Sequence, residues 1–398
     1  MELIDAAAAA ERLGIKQATL YAYVSRGVLR RRHGEDGRRS LFDAAEVEEL
    51  ARKGRPRRPP GASELVIESR ITRLGADRPY YRGRDAIELA REESFETVAE
   101  WLWGGLPPLP GEPGQPDAWA SDPDGVAAAR RALPGGLSPL ENLQVITTVL
   151  GATDTLRFHL DPASVAATGA RLISGLVDAL PQAAPATPAG GTVAERLWSR
   201  LCPAEPEPAL LKALETALVL LADHELAAST LAARVAASAK ADPYAVVLTG
   251  LGVLSGPLHG GASYGAERLL NEIQDPAQAS RLIADRLRRG ERIPGYGHTV
   301  YKHGDARGEA LLALVEAAAP GHPRVEAALA VRKETVRRRL PAANIDFALA
   351  ALTTVAGMIP AAGEAIFAVA RTAGWLAHAM EEYGRRTLLR PRAVYTGP

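Results

Sequence analysis

Apolar residues recur at helical spacing along most of this chain, and two stretches, 209–240 and 310–338, each predict a continuous helical run. Segments that alternate apolar and polar residues in the two-residue rhythm of a strand are scarce, so the expected fold class is all-α. Two pieces rich in Pro, Gly and Ala, 104–116 and 181–191, interrupt the pattern and predict surface loops. No repeat of solenoid length is present.

The first 50 or so residues follow a pattern of their own. Residues 6–13 predict a helix ending near Gly14, and 17–26 a second helix stopped by Gly27, a helix, tight turn, helix arrangement. Arg26, Arg30, Arg31, Arg32, Arg38 and Arg39 then crowd a short stretch opposed by Glu35 and Asp36, with Gly34 and Gly37 offering a hairpin turn. A third helix is expected to open within 42–47. This order resembles the winged helix-turn-helix of the MerR and excisionase type. The resemblance implies DNA as a partner of residues 1–53, with Tyr21 and Tyr23 on a helix in the major groove and the arginines on phosphates. The same patch also reads as a solvated basic surface or a protein-docking module. Gly54-Arg55-Pro56-Arg57-Arg58-Pro59-Pro60-Gly61 cannot continue a helix, because proline removes backbone donors, so 54–62 is expected to be a linker.

At 398 residues the chain has room for two or three domains. Its 47 basic and 47 acidic residues cancel, which excludes a general polyanion coat or polybasic membrane binder and leaves any such activity local. One cysteine, Cys202, excludes an intramolecular disulfide framework and any multi-thiolate metal finger. The N-terminus is acidic where a secretory signal is basic, and no run of about 18 uncharged apolar residues occurs, so a soluble, cytoplasmic protein without a membrane partner is expected.

Three short polar stretches carry most of the chemistry: Gly256-Pro257-Leu258-His259-Gly260-Gly261, Pro294-Gly295-Tyr296-Gly297-His298 and Asn344-Ile345-Asp346-Phe347. Each sets a titratable side chain beside turn or helix-end residues, where backbone can approach a ligand closely. Two imidazoles and one carboxylate suffice to take a proton off carbon while polarising two carbonyls, provided folding brings them together. His224, between Asp223 and Glu225, is expected inside the helical run 209–240. The helix after His259 is expected over 264–273. Downstream of His298, Arg307 is suited to hold a carboxylate through its two-pronged guanidinium.

Those motifs in that order, with Tyr81-Arg82-Gly83-Arg84-Asp85, Ser94-Phe95-Glu96-Thr97, Arg371-Thr372-Ala373-Gly374-Trp375 and Arg390-Pro391-Arg392, resemble the citrate synthase family from about Ser69 onward. The resemblance implies a large helical domain (63–261 and 351–398) and a small one (262–350). It implies a condensation of acetyl-CoA with oxaloacetate that passes through an enol and ends in thioester hydrolysis to citrate and CoA. Asp346 would be the base, His259 the donor to the thioester oxygen, and His298 the group that polarises the ketone. His224, His298, Arg307, Arg371 and Arg390 would hold oxaloacetate, and Ile293, Pro294, Gly295, Tyr296 and Gly297 would cradle CoA. The same resemblance implies a homodimer with shared sites, Arg390 reaching into the neighbour, and neither a resident cofactor nor a metal. Ser263-Tyr264 stands where Asn-Glu is common, Thr299 where many bacterial members have Arg, and Ala306 replaces the Pro of Asp-Pro-Arg. These departures leave open propionyl-CoA as acyl donor, giving 2-methylcitrate, and a regulator that uses the fold as a metabolite sensor.

Overall fold

The computed structural model describes residues 3–13, 15–25, 28–33, 40–52, 66–105, 119–183, 191–302, 304–391, 393, 395 and 396. Contacts divide the chain into two units, Met1–Ile67 and Glu68–Pro398.

In the first unit, α1 (Ala6–Arg12) and α2 (Gln17–Ser25) are followed by α3 (Ala44–Arg52), with a sheet in the order β1 (Leu3–Asp5), β3 (Ser40–Asp43), β2 (Arg32–His33). Both pairings are antiparallel, so β2 and β3 are the two sides of a wing. The third helix opens at Ala44, within the expected 42–47. Phe42 belongs to β3 and is fully buried, because its side chain plugs the small core with Ile4, Leu20, Leu29 and Val47. Asp43 then starts α3 by accepting the Ala45 N–H at 3.0 Å. Gly14, Arg26, Gly27, residues 34–39 and the expected linker lie outside the described residues.

The second unit begins with a small antiparallel sheet of β4 (Thr72–Leu74), β5 (Pro79–Tyr81) and β6 (Arg84–Asp85). Helices follow: α4 (Ala86–Glu92), α5 (Phe95–Leu102), α6 (Pro123–Ala132), α7 (Pro139–Thr153), α8 (Pro162–Ala179), α9 (Val193–Leu201), α10 (Pro208–Leu221) and α11 (Ala228–Ser238). Then come α12 (Pro243–Leu254), α13 (Gly261–Glu272), α14 (Ala279–Arg288), α15 (Ala306–Ala318), α16 (Pro323–Arg337), α17 (Ile345–Ala356) and α18 (Ala362–Tyr383). Many start on a side-chain cap followed by proline, as at Asp122-Pro123, Asp161-Pro162 and Asp242-Pro243, where the side chain accepts the first free N–H groups and proline presets the backbone. The longest, α18, is buried along nearly its whole length and packs against α8, α10, α11 and α12.

Two expected helical runs are broken. Residues 209–240 form α10 and α11 with a turn at 222–227, where Asp223 accepts the Glu225 N–H at 3.1 Å and Glu225 takes φ 52°. Residues 310–338 form α15 and α16, because Pro320-Gly321-His322-Pro323 cannot extend a helix and His322 Nδ1 caps the next one at the Arg324 N–H, 3.2 Å away. Helix α13 starts at Gly261, three residues before the position that 264–273 predicts. Most of each Pro/Gly-rich loop, 106–118 and 184–190, is outside the described residues.

Candidate active site

The turn between α10 and α11 places His224 outside any helix, buried rather than on a helix face. Four groups hold that turn. The Tyr81 hydroxyl lies 3.0 to 3.1 Å from the carbonyl oxygens of Val219, Leu220 and Asp223, and Arg371 Nε donates to the Leu221 carbonyl at 2.8 Å. His378 Nε2 lies 3.3 Å from the buried Asp223 carboxylate, and its Nδ1 faces Arg234 Nη1 at 2.6 Å. Because arginine only donates, His378 Nδ1 accepts and Nε2–H donates to Asp223.

His298 ends the loop 293–297. That loop is zipped to the segment before α17: Gly297 N–H donates to Ala342 O (2.8 Å), Asn344 N–H to Gly295 O (2.9 Å) and Asn344 Nδ2 to Gly297 O (2.9 Å). Gly295 has φ 76°, and a Cβ there would press on the Phe347 backbone at 2.9 Å, so the loop can lie this close only with glycine. The Tyr296 ring packs on Phe347 at 4.9 Å beside a cavity of about 260 Å³ lined in part by Arg332, Thr335 and Pro341. His298 Nδ1 accepts from the main-chain N–H groups of Val300 (3.0 Å) and Tyr301 (3.1 Å), so the proton of the neutral ring sits on Nε2.

Beyond the loop, Asp305 caps α15 and takes Arg307 in a two-pronged pair (2.9 and 2.8 Å), while its Oδ2 also accepts the Ile345 N–H at 3.1 Å. The charge and the start of α17 are thereby locked together. Asp346, in the first turn of α17, has a buried Oδ1 without a hydrogen-bond partner among the described residues. Burial pushes its carboxyl up to about 7, with help from Asp305 and against the pull of Arg307 and Arg371. Arg371 is also buried, and its Nη1 likewise lacks a partner among the described residues.

His259 sits in the turn before α13. Its Nε2 is 2.7 Å from Ser229 Oγ, which itself receives Trp375 Nε1–H at 3.2 Å. Indole only donates, so Ser229 keeps its own proton; with no other acceptor facing the hydroxyl among the described residues, that proton is directed to His259 Nε2, which places the imidazole proton on Nδ1. Burial, then the Arg371 charge, brings His259 down to about 4; burial, then Arg307, does the same for His298. His224 falls well below its ordinary value through burial and both guanidiniums. All three rings are therefore neutral at physiological pH.

The two guanidiniums connect the motifs. Arg371 acts on His224, His259 and Asp346, and Arg307 on His224, His298 and Asp346. The His224 and His298 rings are 5.2 Å apart, and Arg371 stacks at 4.6 Å on Phe367, whose ring meets His259 edge-on at 5.8 Å. Three stretches far apart in sequence thus meet at one place, with the acid and three imidazoles around two cations. Arg390 is not part of this cluster: it is exposed on the tail beyond α18, where Ser238 Oγ accepts the neighbouring Leu389 N–H at 3.1 Å. A larger cavity, about 800 Å³ and bordered by Trp103, Asp154, Arg171 and Tyr244, contains none of these residues.

Several participants escaped the sequence reading. Ser229, Asp305, Phe367 and Tyr301 each touch a site residue, yet a serine or tyrosine in a helical chain carries no local mark of such a role. In the N-terminal unit, Tyr21 is exposed at 40 % and Arg30, Arg31 and Arg32 are exposed, but Tyr23 is only 8 % exposed. Tyr23 is placed in the module's core because it follows Leu20 by three residues and shares its inward face. Arg26, Arg38 and Arg39 lie outside the described residues.

A buried acid, three neutral imidazoles and two guanidiniums thus meet in a helical unit preceded by a module with a helix-turn-helix order of elements. The sequence model described as citrate synthase, C-terminal domain, matches residues 62–392, and that of a helix-turn-helix domain matches 3–55. Citrate synthase 2 of Bacillus subtilis is 33% identical over 354 residues, covering 84% of this chain and 94% of the relative. A 2-methylcitrate synthase of Mycobacterium tuberculosis is 32% identical over 343 residues, covering 80% and 84%. Among solved structures, citrate synthase from Thermotoga maritima superposes with a TM-score of 0.71 at 26% identity, covering 84% of this chain and 94% of that one. The chain belongs to the citrate synthase family.

Proposed function

We propose that the chain condenses acetyl-CoA with oxaloacetate, releasing citrate and CoA. The observation that carries this reading is the pair of buried polar atoms, Asp346 Oδ1 and Arg371 Nη1, that have no partner among the described residues and are set among neutral imidazoles. An orphaned buried polar group costs about 1 to 3 kcal/mol, and a ligand with acidic C–H and carboxylate groups would satisfy both atoms.

The Asp346 carboxylate takes a proton from the acetyl methyl group, while His259 Nδ1–H donates a hydrogen bond to the thioester oxygen as the enol forms. The enol carbon then bonds to the keto carbon of oxaloacetate, and His298 Nε2–H passes its proton to the ketone oxygen. Water finally cleaves the citryl thioester into a carboxylate and the CoA thiol. Neutral donors suit this chemistry, since each preorganised hydrogen bond to developing charge contributes on the order of 10² to 10³ in rate. Arg307, Arg371 and His224 hold the oxaloacetate end, and the loop Ile293 to Gly297 cradles CoA, with residues 262–350 acting as the small domain that closes over both.

Helix α12 supports a homodimer. Its sequence Pro243–Leu254 has no charged residue, yet Leu248, Gly252 and Val253 are not buried, and Leu258 beside His259 is 98 % exposed. Such a face calls for a second copy. The exposed Arg390 of that copy completes the oxaloacetate site. In the N-terminal unit, exposed Tyr21 and Arg30 to Arg32 support contact with DNA phosphates. Among the described residues no helix is long and apolar enough to cross a membrane, and a cytoplasmic setting fits both sets of partners.

The test is release of CoA thiol from the full chain with oxaloacetate and either acetyl-CoA or propionyl-CoA. A higher kcat/KM with acetyl-CoA supports the reading. Preference for propionyl-CoA makes the enzyme a 2-methylcitrate synthase, and turnover of neither acyl donor overturns the proposal.

A further inference from the structure

Between His298 and Arg307 lies a residue that none of these roles uses. Tyr301 is 2 % exposed and touches three parts of the oxaloacetate end at once. Its ring stacks on His298 at 4.6 Å and 20°, and meets His224 edge-on at 5.3 Å. The Arg307 guanidinium stands 5.4 Å from the ring centroid. Its main-chain N–H donates to His298 Nδ1 at 3.1 Å, and its hydroxyl lies 3.0 Å from His224 Nε2.

We propose that Tyr301 is a positioning residue that sets the tautomers of both imidazoles at the oxaloacetate end, giving His298 its proton on Nε2 and His224 its proton on Nδ1. This rests on reading the pocket as an oxaloacetate site. A neutral imidazole has one N–H and one lone pair, and the wrong tautomer turns a lone pair toward a substrate oxygen where a donor is needed. At His298 the main-chain N–H groups of Val300 and Tyr301 both point at Nδ1, so that nitrogen holds the lone pair. At His224 the phenol stays protonated in this buried setting and faces no other acceptor among the described residues, which directs its proton to Nε2. One residue thus orients two rings through two different groups, backbone and hydroxyl. Only the second group can be removed by changing the side chain.

Tyr301→Phe keeps the ring, the stacking and the backbone donor, and deletes the hydroxyl. The full chain labelled with ¹⁵N-histidine reports each tautomer through its imidazole nitrogen shifts, with His224 and His298 assigned from His224→Asn and His298→Asn. The expected result is His224 protonated on Nδ1 in the wild type and a tautomer mixture in Tyr301→Phe, with His298 protonated on Nε2 in both. An unchanged His224 spectrum in the variant overturns the proposal. In kinetics, the KM for oxaloacetate should rise roughly tenfold, as for a lost neutral hydrogen bond, while kcat falls by no more than about twofold and the KM for acyl-CoA stays put. Equal losses in kcat and both KM values overturn it. If the wild type turns over no acyl-CoA, the functional reading fails while the spectra still decide the tautomers.

Discussion

The Asn344 side-chain amide donates to the Gly297 carbonyl at 2.9 Å, joining the loop that carries His298 to the helix that carries Asp346. The same side chain caps α17 by accepting the Asp346 N–H at 3.0 Å. One amide therefore sets the distance between the proposed base and the proposed ketone donor. Asn344→Ala should cost about 0.5 to 2 kcal/mol of stability as a lost cap. A misplacement of about 1 Å should also lower kcat by roughly 10²-fold. Thermal unfolding and thiol release measure the two effects separately, and a variant with full kcat would show that the tie is only structural.

Asp346→Asn should lower kcat by about 10²- to 10⁴-fold, as expected for loss of a general base, with oxaloacetate affinity little changed. In the wild type, kcat/KM should rise with pH through about 7 as this carboxyl ionises. The imidazoles do not produce that limb, since His259 and His298 titrate near 4. The linkage to stability has the opposite slope. The folded state holds the Asp346 proton up to about 7 while the unfolded chain releases it near 3.8, so this group's contribution falls as pH rises between those values. Chemical denaturation at pH 4 and pH 7 should show a shallower decline in the Asn variant.

Ser229→Ala removes the hydroxyl between Trp375 and His259 and leaves a buried indole N–H unpaired, costing about 1 to 3 kcal/mol. His259 then loses the group that keeps its proton on Nδ1, and kcat/KM for acyl-CoA should fall roughly tenfold or more. Oxaloacetate binding, followed by calorimetry, should not move.

Gly374→Ala places a methyl group against the Ala222 carbonyl oxygen and the Asp223 carboxylate, within the turn that presents His224. Overpacking of this kind costs about 1 to 3 kcal/mol or more. A lower Tm together with a raised KM for oxaloacetate is the expected pair of outcomes. Lower Tm with unchanged KM would separate the turn from binding.

Replacing Arg30, Arg31 and Arg32 with Ala should reduce the slope of log affinity for duplex DNA against log salt by about 3, one unit per phosphate contact, without altering thiol release. An unchanged slope would remove these arginines from the interface.

Much of the candidate site is legible in the residues themselves. His259, His298 and Asp346 stand beside glycines and helix caps, and such local signals survive without tertiary context. The turn at 222–227 was not legible, because apolar spacing runs through it from α10 to α11. What breaks the helix is Asp223, held by Glu225 N–H and by His378 155 residues away. Tyr23 was misplaced for a related reason, since only a packed core tells the two faces of a short helix apart.

Composition and periodicity, which depend on neighbours a few residues apart, determined by themselves that this chain is helical and that a basic module precedes a larger unit, and short polar motifs marked Asp346, His259 and His298 as the candidate acid and imidazoles. The tertiary structure alone decided that burial raises the Asp346 carboxyl to about 7 and lowers the imidazoles, that Ser229 and Tyr301 lie against ring nitrogens of His259 and His224, and that Arg307 and Arg371 connect the motifs. Those properties arise from burial and from charges brought together across the fold, and the distances involved exist only once the helices have packed.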